Sequence, residues 1–180
     1  WVASDGSNSN CSFGSSNTPT YNKNISTLES EGWSVSENGT NILAPEHDAA
    51  HIHWGGNWRL PTYQELYDLC YTYCDWTWTA RNGVNGYVVR GRGDFAVNSI
   101  FLPCAGYGYG TSLNYAGSDG YYWSSVPYSD SNYAYGLNFS SGSHRTSTAT
   151  AGFVIAPEWP SRLGMICCAC SSSPHRAHSI

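Results

Sequence analysis

The sequence predicts an α+β domain: two short helices followed by a mostly antiparallel, twisted sheet with long loops. Three observations predict it. Thr62 followed three residues later by Glu65 forms a capping box, and Tyr63, Leu66, Tyr67, Cys70 and Cys74 then fall on one helical face. From Trp76 onward the period changes to two, and Gly, Ser, Asn and Asp runs separate short β-rich segments. Charged residues are 12% of the chain and aromatics 15%, a balance that excludes an ordinary disordered polypeptide.

At 180 residues one domain is the expectation. Residues 1–40, rich in Ser, Asn, Gly and Thr, read as loops and short strands wrapped on a later core. Residues 41–159 form that core, and 160–180 an irregular tail. The first helix starts at Pro45, with Glu46 and Asp48 at its positive end, runs through Ala49, Ala50 and Ile52, and stops at Gly55-Gly56. The second runs from Tyr63 to about Tyr73. Strands are expected at Trp76 to Thr79, Tyr87 to Val89 and Ser99 to Leu102, with Gly91 to Asp94 as the turn between the last two. Three more follow at Tyr121 to Ser124, Tyr133 to Phe139 and Gly152 to Ala156. Trp58, Leu60, Leu66, Trp78, Ile100, Leu102 and Trp123 are the expected core.

Net charge is −5 and Lys23 is the only lysine, so little is available to neutralise a phosphate backbone. Nucleic acid and anionic membrane are poor partners, and no stretch reaches the ~20 apolar residues of a membrane span. The chain opens at Trp1 rather than Met, as a processed product or a piece of something longer would. Seven cysteines cannot all pair within one monomer. For Cys70 and Cys74, at i, i+4, a metal pair, a disulfide to another element and free thiols all stand open.

Gly55-Gly56-Asn57-Trp58-Arg59-Leu60-Pro61-Thr62, leading into Glu65-Leu66, resembles the helix-opening signature of C-type lectin-like folds of the formylglycine-generating-enzyme type. Further motifs extend the likeness: Asp48-Ala49-Ala50-His51, Trp76-Thr-Trp78, Asn82-Gly-Val-Asn-Gly-Tyr87, Asn98-Ser-Ile-Phe-Leu-Pro103, Ala105-Gly-Tyr107, Tyr122-Trp-Ser-Ser125 and Ala134-Tyr135. In that order they resemble the major paralogous domain first noted in Fibrobacter succinogenes, over about residues 40–157. The resemblance implies a C-type lectin-like fold in a secreted or surface domain of a bacterium, or on a phage virion. It is also similar to the variable proteins of diversity-generating retroelements, whose C-terminal part is rewritten at adenines of asparagine-type codons. The family's closing Ser-Val-Arg-Pro is replaced here by Phe153-Val-Ile-Ala-Pro157.

From Cys104 to Pro157 there is no Lys, Glu, Gln or Met, residues that such rewriting cannot produce, and the only charges are Asp119, Asp130 and Arg145. A Tyr/Ser/Gly-rich β region under no such rewriting is the alternative. Either way the composition suits a binding surface, because Tyr offers wide amphipathic contact at low entropy cost while Ser, Gly and Asn adapt. Alternation in the strand Tyr133 to Ser140 puts Tyr135, Leu137 and Phe139 on one face, and Gly136, Asn138 and Ser140 on the other. Turn residues from Ser143 to Thr148, including His144, Arg145, Ser147 and Thr148, are expected to continue that polar set. Tyr107, Tyr109, Asn114, Tyr115, Asp119, Tyr121, Tyr128 and Asp130 lie on neighbouring loops. The expected function is non-enzymatic binding of a protein or glycan target on a cell or particle surface, without a cofactor. A pilus, fibre or phage-tail component that associates with its own copies is the alternative.

Other motifs have plainer readings beside the sharp ones. His47, His51 and His53 with Asp48 suggest a metal cluster, His47 and His51 sharing a helical face, but no third ligand is specified. Arg92-Gly93-Asp94 reads as an adhesion tripeptide or as ordinary turn chemistry. Asn10, Asn24, Asn38 and Asn138 begin Asn-x-Ser/Thr patterns that matter only in a eukaryotic secretory route. The Glu-Pro-Asn or Gln-Pro-Asp and Trp-Asn-Asp motifs of calcium-dependent animal lectins are absent. Formylglycine-generating chemistry needs a cysteine pair in the C-terminal part of the fold, and Cys104 stands alone between Cys74 and Cys167. Pairing Cys104 with His144 has no support in the sequence.

Overall fold

The computed structural model describes residues 23–109, 112–129 and 133–150. The expected strand Gly152 to Ala156, the tail after Trp159, Asp130, Cys11 and the three C-terminal cysteines lie outside the described residues. Before residue 45 there is more regular structure than the composition predicts. Asn24 caps helix α1 (Ile25–Ser30), its Oδ1 accepting the Thr27 N–H at 2.8 Å. Leu28 is its buried residue and half-buried Ile25 its only other apolar one, so the helical period rests on a single i, i+3 pair, too little to read. Strands β1 (Ser34–Glu37) and β2 (Thr40–Leu43) form a hairpin. Its two-residue turn, Asn38-Gly39, has φ of 51° and 80°, the left-handed pair that a tightly twisted hairpin requires.

The expected helix from Pro45 is broken in two. A single 3-10 turn covers Pro45–His47, and α2 (Ala49–Trp54) starts afresh after Asp48. Asp48 is an N-cap rather than a first-turn residue: its Oδ1 accepts the N–H groups of Ala50 at 2.8 Å and His51 at 3.2 Å. Its Oδ2 accepts the Leu60 N–H at 2.8 Å, so one buried carboxylate ties α2 to the segment returning after Gly55. The break takes His47 off the face of His51, and His47 is buried with its ring stacked on Trp33 at 4.0 Å. Asp48→Ala removes a cap and leaves buried N–H groups unpaired, and should cost about 2–4 kcal/mol. Asp48→Asn keeps an acceptor and should cost clearly less; equal losses in chemical denaturation would contradict the bracing role.

The capping box forms as expected at the start of α3 (Tyr63–Tyr67): Glu65 N–H donates to Thr62 Oγ1 and Thr62 N–H to Glu65 Oε2. Arg59 adds a bidentate pair to Glu65, at 2.7 and 2.8 Å. Burial alone would raise the Glu65 carboxyl, but the hydrogen bonds from Arg59 and Thr62, with the Arg59 charge, bring it below its ordinary 4.5. Over Asp68–Thr72 the winding widens to a π turn, and the Trp76 Nε1–H donates to the Leu69 carbonyl at 2.9 Å. The winding ends at Thr72, and buried Cys70 is the last residue of the expected face that it carries. Cys74 therefore opens a strand instead of extending the helix face.

β3 (Cys74–Arg81), β4 (Val84–Gly91) and β5 (Ser99–Pro103) form an antiparallel meander, with Trp78 opposite Tyr87 and Tyr87 opposite Leu102. The β4–β5 connection is longer than the predicted turn and holds a 3-10 turn at Gly93–Phe95. Arg92 is engaged there, its Nε–H donating to Asp75 Oδ1 at 2.7 Å. A small hairpin, β6 (Tyr107–Tyr109) and β7 (Ser112–Asn114), precedes the second three-stranded sheet. That sheet comprises β8 (Asp119–Pro127), β9 (Tyr133–Ser140) and β10 (Ser143–Thr150), antiparallel, with β9 in the middle. Ser143 to Thr148 is thus a strand and not a turn, because the hairpin closes on Ser141-Gly142 alone and every residue from Ser143 pairs with β9. Among the described residues no helix is long and apolar enough to cross a membrane.

The core gathers Leu66 and Cys70 with Tyr87, Val89, Ile100, Leu102 and Cys104 of the first sheet region, and Tyr122, Leu137 and Phe139 of the second. Leu66, Ile100 and Leu102 are buried as expected, while Trp58, Leu60, Trp78 and Trp123 are only half-buried. In β8 the inward aromatic is Tyr122, its hydroxyl donating to the Pro103 carbonyl at 2.7 Å. Alternation then turns Trp123 outward.

Candidate functional site

The side of the β8–β9–β10 sheet facing away from the core carries seven of the fifteen predicted contact residues, Asp119, Tyr121, Gly136, Asn138, Ser140, Arg145 and Ser147, arranged by the strand register. Asp119, Ser140 and Ser143 stand in one cross-strand row, Tyr121, Asn138 and Arg145 in the next, and Trp123, Gly136 and Ser147 in a third. Arg145 Nε–H donates to Asn138 Oδ1 at 3.1 Å, Ser140 and Ser143 hydroxyls meet at 3.4 Å, and Ser118 Oγ–H donates to Asp119. Asp119, Tyr121, Asn138, Ser140, Ser143 and Arg145 line a shallow, polar depression. At its β8 side Tyr107 packs edge-on against Tyr121 at 5.1 Å and stacks on Tyr115 at 5.7 Å. Tyr115 holds a left-handed φ of 57°, rare for an aromatic residue, and its carbonyl accepts the N–H groups of Ser118 and Asp119. Burial, then Asp119 and the phenols of Tyr107 and Tyr115, push the Tyr121 phenol up, against a smaller opposing effect of Arg145. Tyr121 therefore stays protonated, able to donate and to accept.

Residues 78–157 match the family described as a domain of unknown function, DUF8237. The similarity takes in most of both three-stranded sheets and the outward face, and leaves α3 outside. No curated protein and no solved structure matches the chain.

Not every predicted contact residue joins this face. His144 and Thr148 alternate with Arg145 and Ser147, so they point to the opposite side of β10. His144 stacks flat on Trp76, centroids 4.4 Å apart and planes within 3°. Tyr128 packs with Tyr133 and Tyr135, away from Tyr121. Asn114 pairs with Tyr107 and Ser112 with Tyr109 in the β6–β7 hairpin beside the face. Sequence reasoning missed Trp123 as a surface residue. No local signal marks it, because Trp123 meets Gly136 only through the register of β8 with β9.

The other motifs offer little chemistry. Among the described residues no group of three or more His, Cys, Asp or Glu side chains is placed to hold a metal. Cys70, Cys74 and Cys104 are free. Burial, with Cys74 nearby, pushes the Cys70 thiol up to about 12, and burial, with Asp119, pushes Cys104 up to about 11. Both are thiols rather than thiolates near neutrality, which makes them poor nucleophiles.

Burial lowers His144 below its ordinary 6.5, against an opposing hydrogen bond to the Cys70 backbone. A folded value below the unfolded one means that protons favour the unfolded chain. The contribution of neutral His144 is complete above pH ~6.5 and is lost as pH falls through the folded value. His144→Phe, which keeps a ring on Trp76, should flatten the loss of stability between about pH 7 and pH 5. Parallel melts of both proteins across that range check this, and identical pH profiles would refute it.

Proposed function

We propose that this chain is a non-enzymatic binding domain of C-type lectin-like architecture, acting at a bacterial surface, outside the cell or on a phage virion. Its contact face is the outward side of β8, β9 and β10. The observation that carries this reading is the ordered juxtaposition of aromatic and short polar side chains around one Asp and one Arg, with Lys and Glu absent. Such a surface gives wide contact with adaptable hydrogen bonds. The C-type lectin-like reading draws support from the Trp58-to-Glu65 motif acting as a brace. Arg59 locks the capping box, and the Pro61 carbonyl accepts both the backbone N–H of Ser125, at 2.8 Å, and its hydroxyl, joining the helix entry to β8.

Asp119, Tyr121, Gly136, Asn138, Ser140, Arg145 and Ser147 are all residues that adenine rewriting of asparagine-type codons can produce, while Trp123 is not. Retroelement diversification therefore predicts that near-identical sibling genes differ at the former positions and keep Trp123, and an even scatter of differences would exclude it. The target is a protein or a glycan on a cell or particle. The test is binding of the domain to glycan arrays and intact cells, repeated with the variant panel of the Discussion. Assembly into filaments in solution would favour the pilus, fibre or tail reading instead.

A further inference from the structure

On the other side of the β8–β9–β10 sheet, tyrosines from three elements meet in one continuous row. Tyr133 lies 6.2 Å from Tyr128, Tyr128 5.1 Å from Tyr135, Tyr135 4.3 Å from Tyr63, Tyr63 6.3 Å from Tyr67, and Tyr67 4.9 Å from Tyr71, between ring centroids. The row arises because α3 and its π continuation repeat tyrosine every four residues, on one stripe, and lay that stripe against the start of β9. Its middle is packed, but its ends are open: Tyr133 is 37% exposed, Tyr67 41% and Tyr71 46%. Tyr71 is held in place, its hydroxyl accepting the Thr146 N–H of β10 at 3.3 Å. Thr148, exposed on the same side of β10, belongs here rather than with Arg145.

We propose that this row is a second binding surface, for a single extended chain of neutral β-linked sugars. An exposed tyrosine offers apolar ring surface for the C–H face of a pyranose and a phenol hydroxyl for its equatorial hydroxyl groups. The exposed neighbours Tyr67 and Tyr71 have centroids 4.9 Å apart, close to the advance per sugar of an extended β-linked chain. The row itself carries no formal charge, which complements an uncharged polyhydroxylated ligand and gives an anionic polymer nothing to pair with. Successive planes are tilted by 39° to 83°, so the rings form a twisted line rather than a flat plate. That shape fits a soluble chain and not the surface of a crystalline polysaccharide. The rings brace one another before any ligand arrives, so little ordering entropy is lost on binding. The surface is independent of the outward face, and either can exist without the other.

The experiment is native gel electrophoresis of the full chain through hydroxyethylcellulose, a soluble neutral β-1,4-linked glucan, against a gel without polymer. The wild-type protein should be retarded. Tyr67→Ala with Tyr71→Ala should weaken the apparent affinity about tenfold or more. Tyr67→Phe, which keeps the ring, should retain the retardation, and so should Tyr121→Ala on the outward face. Thermal melts of each variant monitor folding, and Tyr67→Ala alone, at an exposed position, serves if the double variant melts early. No retardation of the wild type, equal retardation of Tyr67→Ala, or loss on Tyr121→Ala instead would each overturn the proposal. None of these results depends on whether the outward face binds its own target.

Discussion

Phe139→Ala should destabilise the domain by about 3–5 kcal/mol, a large fraction of the ~5–15 kcal/mol that holds a domain of this size together. The ring is 3% exposed and stands at the meeting point of the two sheets, with centroids 5.5 Å from Tyr87, 5.8 Å from Tyr122 and 5.9 Å from Trp76. It also lies directly over Gly120 of the neighbouring strand: a Cβ there would come within 2.1 Å of Phe139 Cζ. Gly120→Ala must therefore expel the ring, and should approach the effect of Phe139→Ala rather than the small cost of an added methyl. Because both changes remove the same packing, the double variant should lose much less than the sum of the two. Trp78→Ala and Trp123→Ala, at half-buried positions, should each cost less than Phe139→Ala. Urea denaturation of the five proteins decides it; additive losses at Gly120 and Phe139, or a Phe139→Ala cost below about 1 kcal/mol, would be incompatible with this core.

What could be read from the sequence followed local chemistry. The capping box at Thr62 and Glu65, the stop at Gly55 and the inward set of Leu137 and Phe139 depend only on neighbours a few residues away, and all are present. What could not be read depended on distant partners. Asp48 looks like a first-turn acid until the Leu60 N–H, twelve residues on, claims its second oxygen. Tyr121, Tyr122 and Trp123 are three consecutive aromatics, and which of them enters the core is decided by Pro103, whose carbonyl takes the Tyr122 hydroxyl. Ser143 to Thr148 reads as a turn by composition, and becomes a strand because β9 is there to pair with it. The same pairing divides the contact set predicted from the sequence. A loop could have presented His144 and Arg145 together, but a strand must send them to opposite sides.

That division makes the second large effect specific. Once a target is bound, Tyr121→Ala, Trp123→Ala or Arg145→Ala should include at least one anchor whose loss costs 2 kcal/mol or more of binding, because aromatic and Arg side chains dominate contact energetics. Arg145 and Asn138 share a hydrogen bond at the surface, so Asn138→Ala and Arg145→Ala should leave stability within about ±0.5 kcal/mol, and Ser147→Ala likewise. His144→Ala and Thr148→Ala supply the contrast. They lie two residues or fewer from Arg145 and Ser147 along the chain, yet on the opposite side of β10, and should leave affinity for the outward-face target unchanged. His144→Ala should lower stability instead, since it removes the ring stacked on Trp76. Binding titrations and melts on this one panel separate the two sides of the sheet. Affinity that survives simultaneous replacement of Tyr121, Asn138, Ser140, Arg145 and Ser147, or that falls with His144 and Thr148 as much as with Arg145, would remove the outward face from consideration.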